Sequence, residues 1–173
     1  DPAATGFAHL FEHLMFEGTP RIPVFDVPVM MSGGENNAFT NNDITNYYIT
    51  LPANNLETAL WLESDRMRGL DLQEERLNNQ KSVVTEEFRQ RYLNQPYGDL
   101  LLLLRPLAYR VHPYRWSAIG MDISHIEKAD STSAKHFYDR FYTPSNAILS
   151  VAGNVDTDKV FSLAEKWFND IPS

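Results

Sequence analysis

Two histidines four residues apart, with a glutamate directly before the second, constrain this chain more than any other feature. They are His9, Glu12 and His13, in the run Gly6-Phe7-Ala8-His9-Leu10-Phe11-Glu12-His13. Because an α-helix turns about 100° per residue, positions i and i+4 lie on one face, and both imidazoles can point at one ion. Glu12 lies one turn after His9 on the same side. The spacing therefore predicts a metal site on a helix.

The other residues of this segment are apolar, which predicts a buried helix over about residues 5–17 that ends at Gly18. Burying polar groups without partners costs several kcal/mol, and a metal ion supplies a partner. The alternative is that two core histidines are hydrogen-bonded inside the protein. A glutamate within an otherwise apolar helix favours the metal site, since such residues are rarely buried without a role.

A third ligand is expected elsewhere in the chain, because catalytic zinc usually takes three protein ligands and one water. The chain contains no Cys. A helical interpretation of residues 83–91 puts Glu87 on the face of Val83 and Val84 and leaves Glu86 among polar residues. Glu87 is therefore predicted as the third ligand of one Zn²⁺ ion. The alternative is two glutamates on a solvated helix face, as is usual for charged runs.

The sequence resembles the pitrilysin-type (M16, inverzincin) zinc metallopeptidases along essentially its whole length, most closely the bacterial members. The order H-x-x-E-H is the reverse of the zinc motif H-E-x-x-H. The distal glutamate, Glu87, adds specificity, with 73 residues between it and His13. Further matching segments are Glu17-Gly18-Thr19, Gly33-Gly34, Asn37-Ala38-Phe39-Thr40, Thr45-Asn46-Tyr47-Tyr48, Asn94-Gln95-Pro96-Tyr97-Gly98, His112-Pro113-Tyr114, Tyr142-Thr143-Pro144-Ser145-Asn146-Ala147 and Val151-Ala152-Gly153-Asn154.

The resemblance implies a role for each matching residue. His9, His13 and Glu87 would bind zinc, and Glu12 would be the general base of a zinc-dependent endopeptidase. Family members often carry a further glutamate seven residues before the distal ligand, where this chain has Gln80. The resemblance therefore assigns no auxiliary acid role at that position.

The resemblance also implies a substrate and a partner. Asn37, Ala38, Phe39 and Thr40 would form an exposed strand close to the metal helix, to which a peptide or unfolded polypeptide adds as a further strand. The expected partner is a C-terminal half or a second M16 subunit. The alternative function is a non-catalytic zinc-binding scaffold or a peptide-binding subunit of a paired complex. Such a subunit is expected to lack some of the residues that bind zinc or act as the base. This chain has all four, which are His9, Glu12, His13 and Glu87.

Composition and pattern predict the architecture. The length of 173 residues is that of one domain. The resemblance implies a single M16-like catalytic domain that is a fragment of a longer chain and cleaves peptides poorly by itself. The expected fold is α+β, a largely antiparallel sheet flanked by helices. Helices are predicted near 25–32, 54–69, 73–94, 97–109, 131–142 and from Asp156 onward, and strands at 36–41, 45–51 and 146–152.

Charge and hydropathy exclude some classes of partner. The net charge is −8 and no basic cluster is present, which argues against a nucleic-acid partner. The longest apolar run, residues 100–104, is too short to span a membrane. A bacterial periplasm or another extracytoplasmic compartment is the expected location, because the absence of Cys fits an oxidising compartment; the same absence also fits cytosol. His112 is expected to have a structural or surface role, and His125 and His136 are expected to be solvated.

Overall fold

The computed structural model describes residue 2 and residues 4–172. This part of the chain is α+β, as predicted, and contains eight α-helices and a two-stranded sheet. The helices are α1 (Phe7–Leu14), α2 (Asp26–Met31), α3 (Leu56–Arg68), α4 (Glu74–Phe88), α5 (Leu100–Ala108), α6 (Ile123–Glu127), α7 (Ser131–Phe141) and α8 (Thr157–Phe168), and the strands are β1 (Glu35–Thr40) and β2 (Thr45–Thr50). A π-helical turn, Arg89–Leu93, directly continues α4. None of these helices has the length and apolar character needed to cross a membrane.

The described residues divide into two compact units, each drawn from several segments of the sequence. The first unit comprises the segment up to Leu14, Ala38–Asn46 and Leu72–Lys135. The second comprises Met15–Asn37, Tyr47–Asp71 and the segment from His136 onward.

In the first unit, α1 packs against α4, and α4 packs against α6. The apolar face of α1 is fully enclosed, with Leu10 and Phe11 at 0% exposure. The start of α1 approaches another backbone segment so closely that only glycine fits. Gly6 has a φ of +91°, and a Cβ at this position would lie 2.5 Å from the carbonyl oxygen of Ile119.

The core of the second unit joins α2 and α3 to the loop before α2. Its buried residues are Ile22, Phe25, Val29 and Leu62. Beside this core lies Arg66, a cation only 1% exposed. Its guanidinium stacks on the rings of Phe25 and Tyr47 and forms two hydrogen bonds to the Glu63 carboxylate. A buried arginine is tolerated here because an anion and aromatic faces surround it.

The strands β1 and β2 form a hairpin whose register follows from two contacts. The backbone N–H of Asn41 donates to the Ile44 carbonyl oxygen at 3.0 Å, and the Thr40 and Thr45 hydroxyl oxygens lie 3.2 Å apart. Asn41 and Ile44 are therefore a hydrogen-bonded pair, and Thr40 and Thr45 are a non-hydrogen-bonded pair. It follows that the backbone N–H and C=O of Thr40 point away from β2.

Three predicted boundaries differ from the structure for identifiable reasons. The first helix ends at Leu14, three residues early, because Met15 and Phe16 turn away, and Phe16 packs on the Phe25 ring. The helix predicted at 73–94 is α-helical only to Phe88. The helix predicted at 97–109 begins at Leu100, after Tyr97 adopts a φ of +59°.

The predicted strand at residues 146–152 is wrong. Pro144–Asn146 forms a 3₁₀ turn, and the following residues have no regular structure among those described. Ile148 is 97% exposed. A β-prone sequence becomes a strand only when a neighbouring strand accepts its backbone hydrogen bonds, and no described strand does so here.

A short helix, α6, was not predicted, although Asp122 caps it by accepting a hydrogen bond from the Ser124 amide. His125 lies in this helix. It is half-buried, whereas the sequence predicted a solvated side chain. Its Nδ1 lies 2.7 Å from the Thr5 hydroxyl oxygen. His136 is exposed, as predicted.

Candidate metal centre

Helix α1 presents His9 and His13 side by side. Their ring centroids are 4.9 Å apart, and the rings are inclined at 73°. The opposite face of the helix carries Leu10, Phe11 and Leu14, which anchor it in the core of the first unit. His9 is buried and His13 is half-buried. One side of α1 thus holds two imidazoles at the edge of a rigid core.

Helix α4 brings Glu87 to the same place. Glu87 Oε2 lies 3.6 Å from His9 Nε2 and 3.6 Å from His13 Nε2. One potential ligand atom from each of the three residues lies within 4.8 Å of the other two. Among the described residues, this is the group of histidine and acidic side chains with the geometry of a metal site.

The donor set fits a zinc ion. Two atoms that each lie about 2.1 Å from one tetrahedral zinc are roughly 3.4 Å from each other, close to the 3.6 Å between each histidine Nε2 and Glu87 Oε2. Two imidazole nitrogens and one carboxylate also match the ligand types of catalytic zinc sites, which keep one position for water.

Glu12 lies on the same helix, between the two histidines. Its Oε2 is buried and has no hydrogen-bond partner in the described part of the chain. The same is true of His9 Nδ1. Buried polar atoms without a partner are costly in a folded protein and commonly indicate a bound water, an ion or a catalytic group. One of these two atoms belongs to the cluster residue His9, and the other to Glu12, whose charge acts on His9.

The electrostatic surroundings keep His9 available as a ligand. Burial lowers the pKa of His9, and the positive charges of His13 and Arg91 act in the same direction. The negative charges of Glu87 and Glu12 oppose this effect. With burial dominant, the imidazole is neutral near pH 7, and a histidine must be neutral to bind a metal.

Arg91 holds the other oxygen of the Glu87 carboxylate. Its guanidinium lies 2.8 Å from Glu87 Oε1, one helical turn further on. Solvent exposure is the default for an arginine at this position in the sequence. Arg89 and Arg91 both flank Glu87 in the sequence and either could contact it, and the spacing of four residues favours Arg91.

The neighbouring residues of α4 do not join the cluster. Glu86 is exposed and lies 3.9 Å from the Arg89 guanidinium. Val83, expected on the inner face with Val84, is 48% exposed, whereas Val84 is buried at 1%.

His112 lies in an exposed loop, where its Nδ1 accepts a hydrogen bond from the Tyr114 amide.

The π-helical turn after Glu87 is a feature that sequence reasoning missed. It carries Tyr92 into the core, where the tyrosine and Ser117 hydroxyl oxygens lie 2.9 Å apart. Ser117 forms an isolated β-bridge with Gly120, and Ile119 between them meets Gly6 at the start of α1. One short segment, Ser117–Gly120, therefore contacts both the residue directly before α1 and the π-turn directly after α4. π-turns inside α-helices frequently mark functional sites.

The predicted substrate strand lies in β1. Asn37 and Phe39 point to its exposed face, with Phe39 45% exposed, and Ala38 and Thr40 are half-buried on the other face. Ala38–Asn46 belongs to the same compact unit as His9, His13 and Glu87. None of the four strand residues is part of the three-residue cluster.

Comparison with protein families and known proteins gives consistent matches. Residues 1–119 match the family model Insulinase (Peptidase family M16), and residues 128–173 match the model Peptidase M16 inactive domain. The chain is 38% identical over 169 residues to the zinc protease PqqE of Helicobacter pylori, covering 96% of this chain and 38% of the relative. It is 28% identical over 169 residues to the uncharacterized zinc protease YmxG of Bacillus subtilis, covering 96% of this chain and 41% of the relative. The chain thus spans about two fifths of the length of these relatives.

Solved structures show the same similarity. A protease from Helicobacter pylori superimposes with a TM-score of 0.94 at 36% identity, covering 100% of this chain and 42% of that one. A putative M16-like peptidase from Alicyclobacillus acidocaldarius gives a TM-score of 0.84 at 26% identity, covering 96% of this chain and 38% of that one. The fold is also that of the periplasmic protease PqqL from Escherichia coli, with a TM-score of 0.85 at 22% identity over 99% of this chain and 20% of that one. With a family model matched over residues 1–119 of 173, the chain belongs to peptidase family M16.

Proposed function

We propose that the protein containing this chain is a zinc-dependent endopeptidase, with His9, His13 and Glu87 as the ligands of one zinc ion. The observation that carries this proposal is the convergence of two Nε2 atoms on a single carboxylate oxygen, Glu87 Oε2, at 3.6 Å each. The zinc protease names of the relatives support the choice of metal and reaction class.

Glu12 is the proposed general base. Bound zinc would supply Lewis acidity, which lowers the pKa of a coordinated water to about 7. Glu12 lies between the two histidines on α1, and its buried Oε2 has no partner among the described residues. This carboxylate oxygen is therefore available to take a proton from water and return it to the leaving amine.

Peptide or unfolded polypeptide is the proposed substrate, bound as an additional strand along β1 through Asn37, Ala38, Phe39 and Thr40. The outward direction of the Thr40 backbone groups, which follows from the hairpin register, supports this mode. Backbone pairing grips an extended chain with little regard to its sequence. Specificity would then come from pockets for alternate side chains.

Residues 1–173 are proposed as one catalytic domain of a longer enzyme that works with a C-terminal half or a second M16 subunit. The relatives and solved structures that extend well beyond the matched region support this context. We propose a periplasmic or other extracytoplasmic location from the absence of Cys in the sequence. PqqL, a periplasmic protease with the same fold, is compatible with this location.

The decisive experiment compares wild type, Glu12→Gln and Glu86→Gln in the full-length protein. Zinc content is measured by elemental analysis, and cleavage is measured with an unstructured polypeptide. Glu12→Gln should retain zinc and lose about two to four orders of magnitude in kcat. Glu86→Gln is the matched control, since it makes the same chemical change on an exposed side chain, and should resemble wild type.

Retained cleavage by the zinc-loaded Glu12→Gln variant would refute the role of Glu12. Wild-type protein that holds zinc and binds polypeptide without cleaving it would instead support the alternative, a non-catalytic zinc-binding scaffold or peptide-binding subunit. The presence of Glu12 together with all three potential ligands favours the enzyme.

A further inference from the structure

Helix α5 is inverted relative to an ordinary surface helix. Leu100, Leu103, Leu104 and Leu107, which form one stripe, are 50–76% exposed. Arg105 lies on the opposite side and is half-buried. Surface helices normally bury their apolar stripe and expose their charges. The inward position of Arg105 therefore needs a partner within the first unit.

Arg105 finds that partner at the turn between β1 and β2. Its Nη1 atom lies 3.2 Å from Asn42 Oδ1, 3.3 Å from the Tyr114 carbonyl oxygen and 3.4 Å from the Trp116 carbonyl oxygen. One cationic nitrogen thus faces three oxygens from two separate loops. Hydrogen bonds from a charged donor are stronger than neutral ones, so Arg105 ties the turn to the loop before Ser117.

Two more contacts secure the same turn. The Asn42 side-chain amide donates to the Trp116 carbonyl oxygen at 3.3 Å. The Tyr114 hydroxyl donates to Asp43 Oδ1 at 2.6 Å, and this hydrogen bond raises the pKa of Tyr114. Both residues at the tip of the hairpin are therefore held from outside the hairpin. All the contacts lie within the first unit, which also contains His9, His13 and Glu87.

We propose that Arg105, assisted by Tyr114, is a positioning residue for peptide binding. It fixes the tip of the hairpin and so presents the Ala38–Thr40 part of β1 in an ordered, extended form. An isolated two-stranded hairpin is only marginally ordered in water. A template that is ordered before binding spares the complex the entropic cost of ordering it, which raises affinity. This inference rests on the proposed binding of substrate along β1.

The test uses the full-length protein with Glu12→Gln as a non-cleaving background. Binding of fluorescein-labelled β-casein, an unstructured polypeptide, is measured by anisotropy for this background with and without Arg105→Ala. The Kd should rise about tenfold, the equivalent of one or two lost hydrogen bonds. Tyr114→Phe should give a smaller rise, and Arg105→Lys should partly restore affinity because it keeps the charge.

Arg110→Ala is the matched control, since it removes an exposed arginine five residues away on the same chain segment. It should leave the Kd unchanged. Hydrogen exchange supplies a readout that a general loss of structure would not reproduce. Arg105→Ala should speed exchange at residues 38–46, while α1 and α4 keep wild-type protection and the zinc content stays constant.

Three results would overturn the inference. The first is an unchanged Kd in the Arg105→Ala variant. Even if hydrogen exchange in the hairpin accelerates, this result would show that order in the turn does not contribute to peptide binding. The second is loss of zinc or of protection in α1 and α4, which would mean a general structural role. The third is no binding of β-casein by the Glu12→Gln background. Failure of the proposed function appears separately, as wild-type protein that binds β-casein without cleaving it.

Discussion

Arg91 and Glu87 form an ion pair that uses only one of the two carboxylate oxygens. The guanidinium lies 2.8 Å from Oε1, whereas Oε2 is the oxygen that faces both histidines. The arginine therefore does not compete for the atom proposed to bind zinc. It restricts the rotation of the carboxylate and leaves Oε2 directed at His9 and His13.

Arg91→Ala should weaken zinc affinity about tenfold, because groups that orient a metal ligand typically contribute factors of 10–100 and this arginine is partly solvated. Competition with a chromophoric chelator gives the affinity. Arg91→Lys should recover part of the loss. Arg89→Ala is the control, since Arg89 approaches Glu86 and Glu127 rather than Glu87. Equal effects of the two alanine variants would reduce the role of Arg91 to its charge alone.

Glu87→Gln should release zinc during dialysis, because a neutral amide oxygen is a much poorer ligand than a carboxylate. Glu86→Gln, the adjacent and exposed glutamate, should retain one zinc per chain. Elemental analysis of the dialysed full-length proteins distinguishes the two. A fully loaded Glu87→Gln variant would place the third ligand elsewhere.

The hairpin register determines at which position of β1 a substitution to proline tests substrate binding. The N–H of Thr40 points away from β2, so Thr40→Pro removes a donor on the proposed substrate side and leaves the pairing between the strands in place. KM for an unstructured polypeptide should rise, while zinc content stays constant. Thr40→Val keeps the N–H and is the control. If KM is insensitive to the proline, peptides bind at another surface.

The Glu63–Arg66 pair makes a prediction about stability. Glu63→Ala should destabilise the protein by about 3 kcal/mol, because it leaves the buried Arg66 cation without its anion. The loss lies at the lower end for a buried pair, since Glu63 is itself 25% exposed. Replacing both residues, as in Glu63→Ala with Arg66→Met, should recover part of that loss. Urea unfolding measures each variant, and additive effects in the double variant would contradict the explanation.

Much of the architecture could be predicted because the relevant signals are local. The His9–Glu12–His13 spacing predicted α1, and the β-prone residues around the Asn41–Asn42–Asp43 turn predicted the hairpin. The distinction between Glu86 and Glu87 rested on the buried face of α4, where Val84 is enclosed although Val83 is not.

The remaining features depend on distant partners that no local pattern reveals. Residues 146–152 have the composition of a strand, yet pairing requires a neighbour elsewhere in the chain. The inward Arg105 and outward leucines of α5 invert the usual pattern because Arg105 binds the tip of the hairpin. The π-turn after Phe88 contains Tyr92, which contacts Ser117, 25 residues away. In α5 and in the π-turn, tertiary contacts override the local preference, whereas residues 146–152 have no described strand to pair with.

The first unit contains all three candidate ligands, although 73 residues separate His13 from Glu87 in sequence. An ion held by these side chains would be a cross-link that closes a long loop, and the unfolded chain would have to lose that closure entropy to bind it. Metal occupancy and folding of this unit would then share one free energy. A chelator would act on the first unit as a selective denaturant.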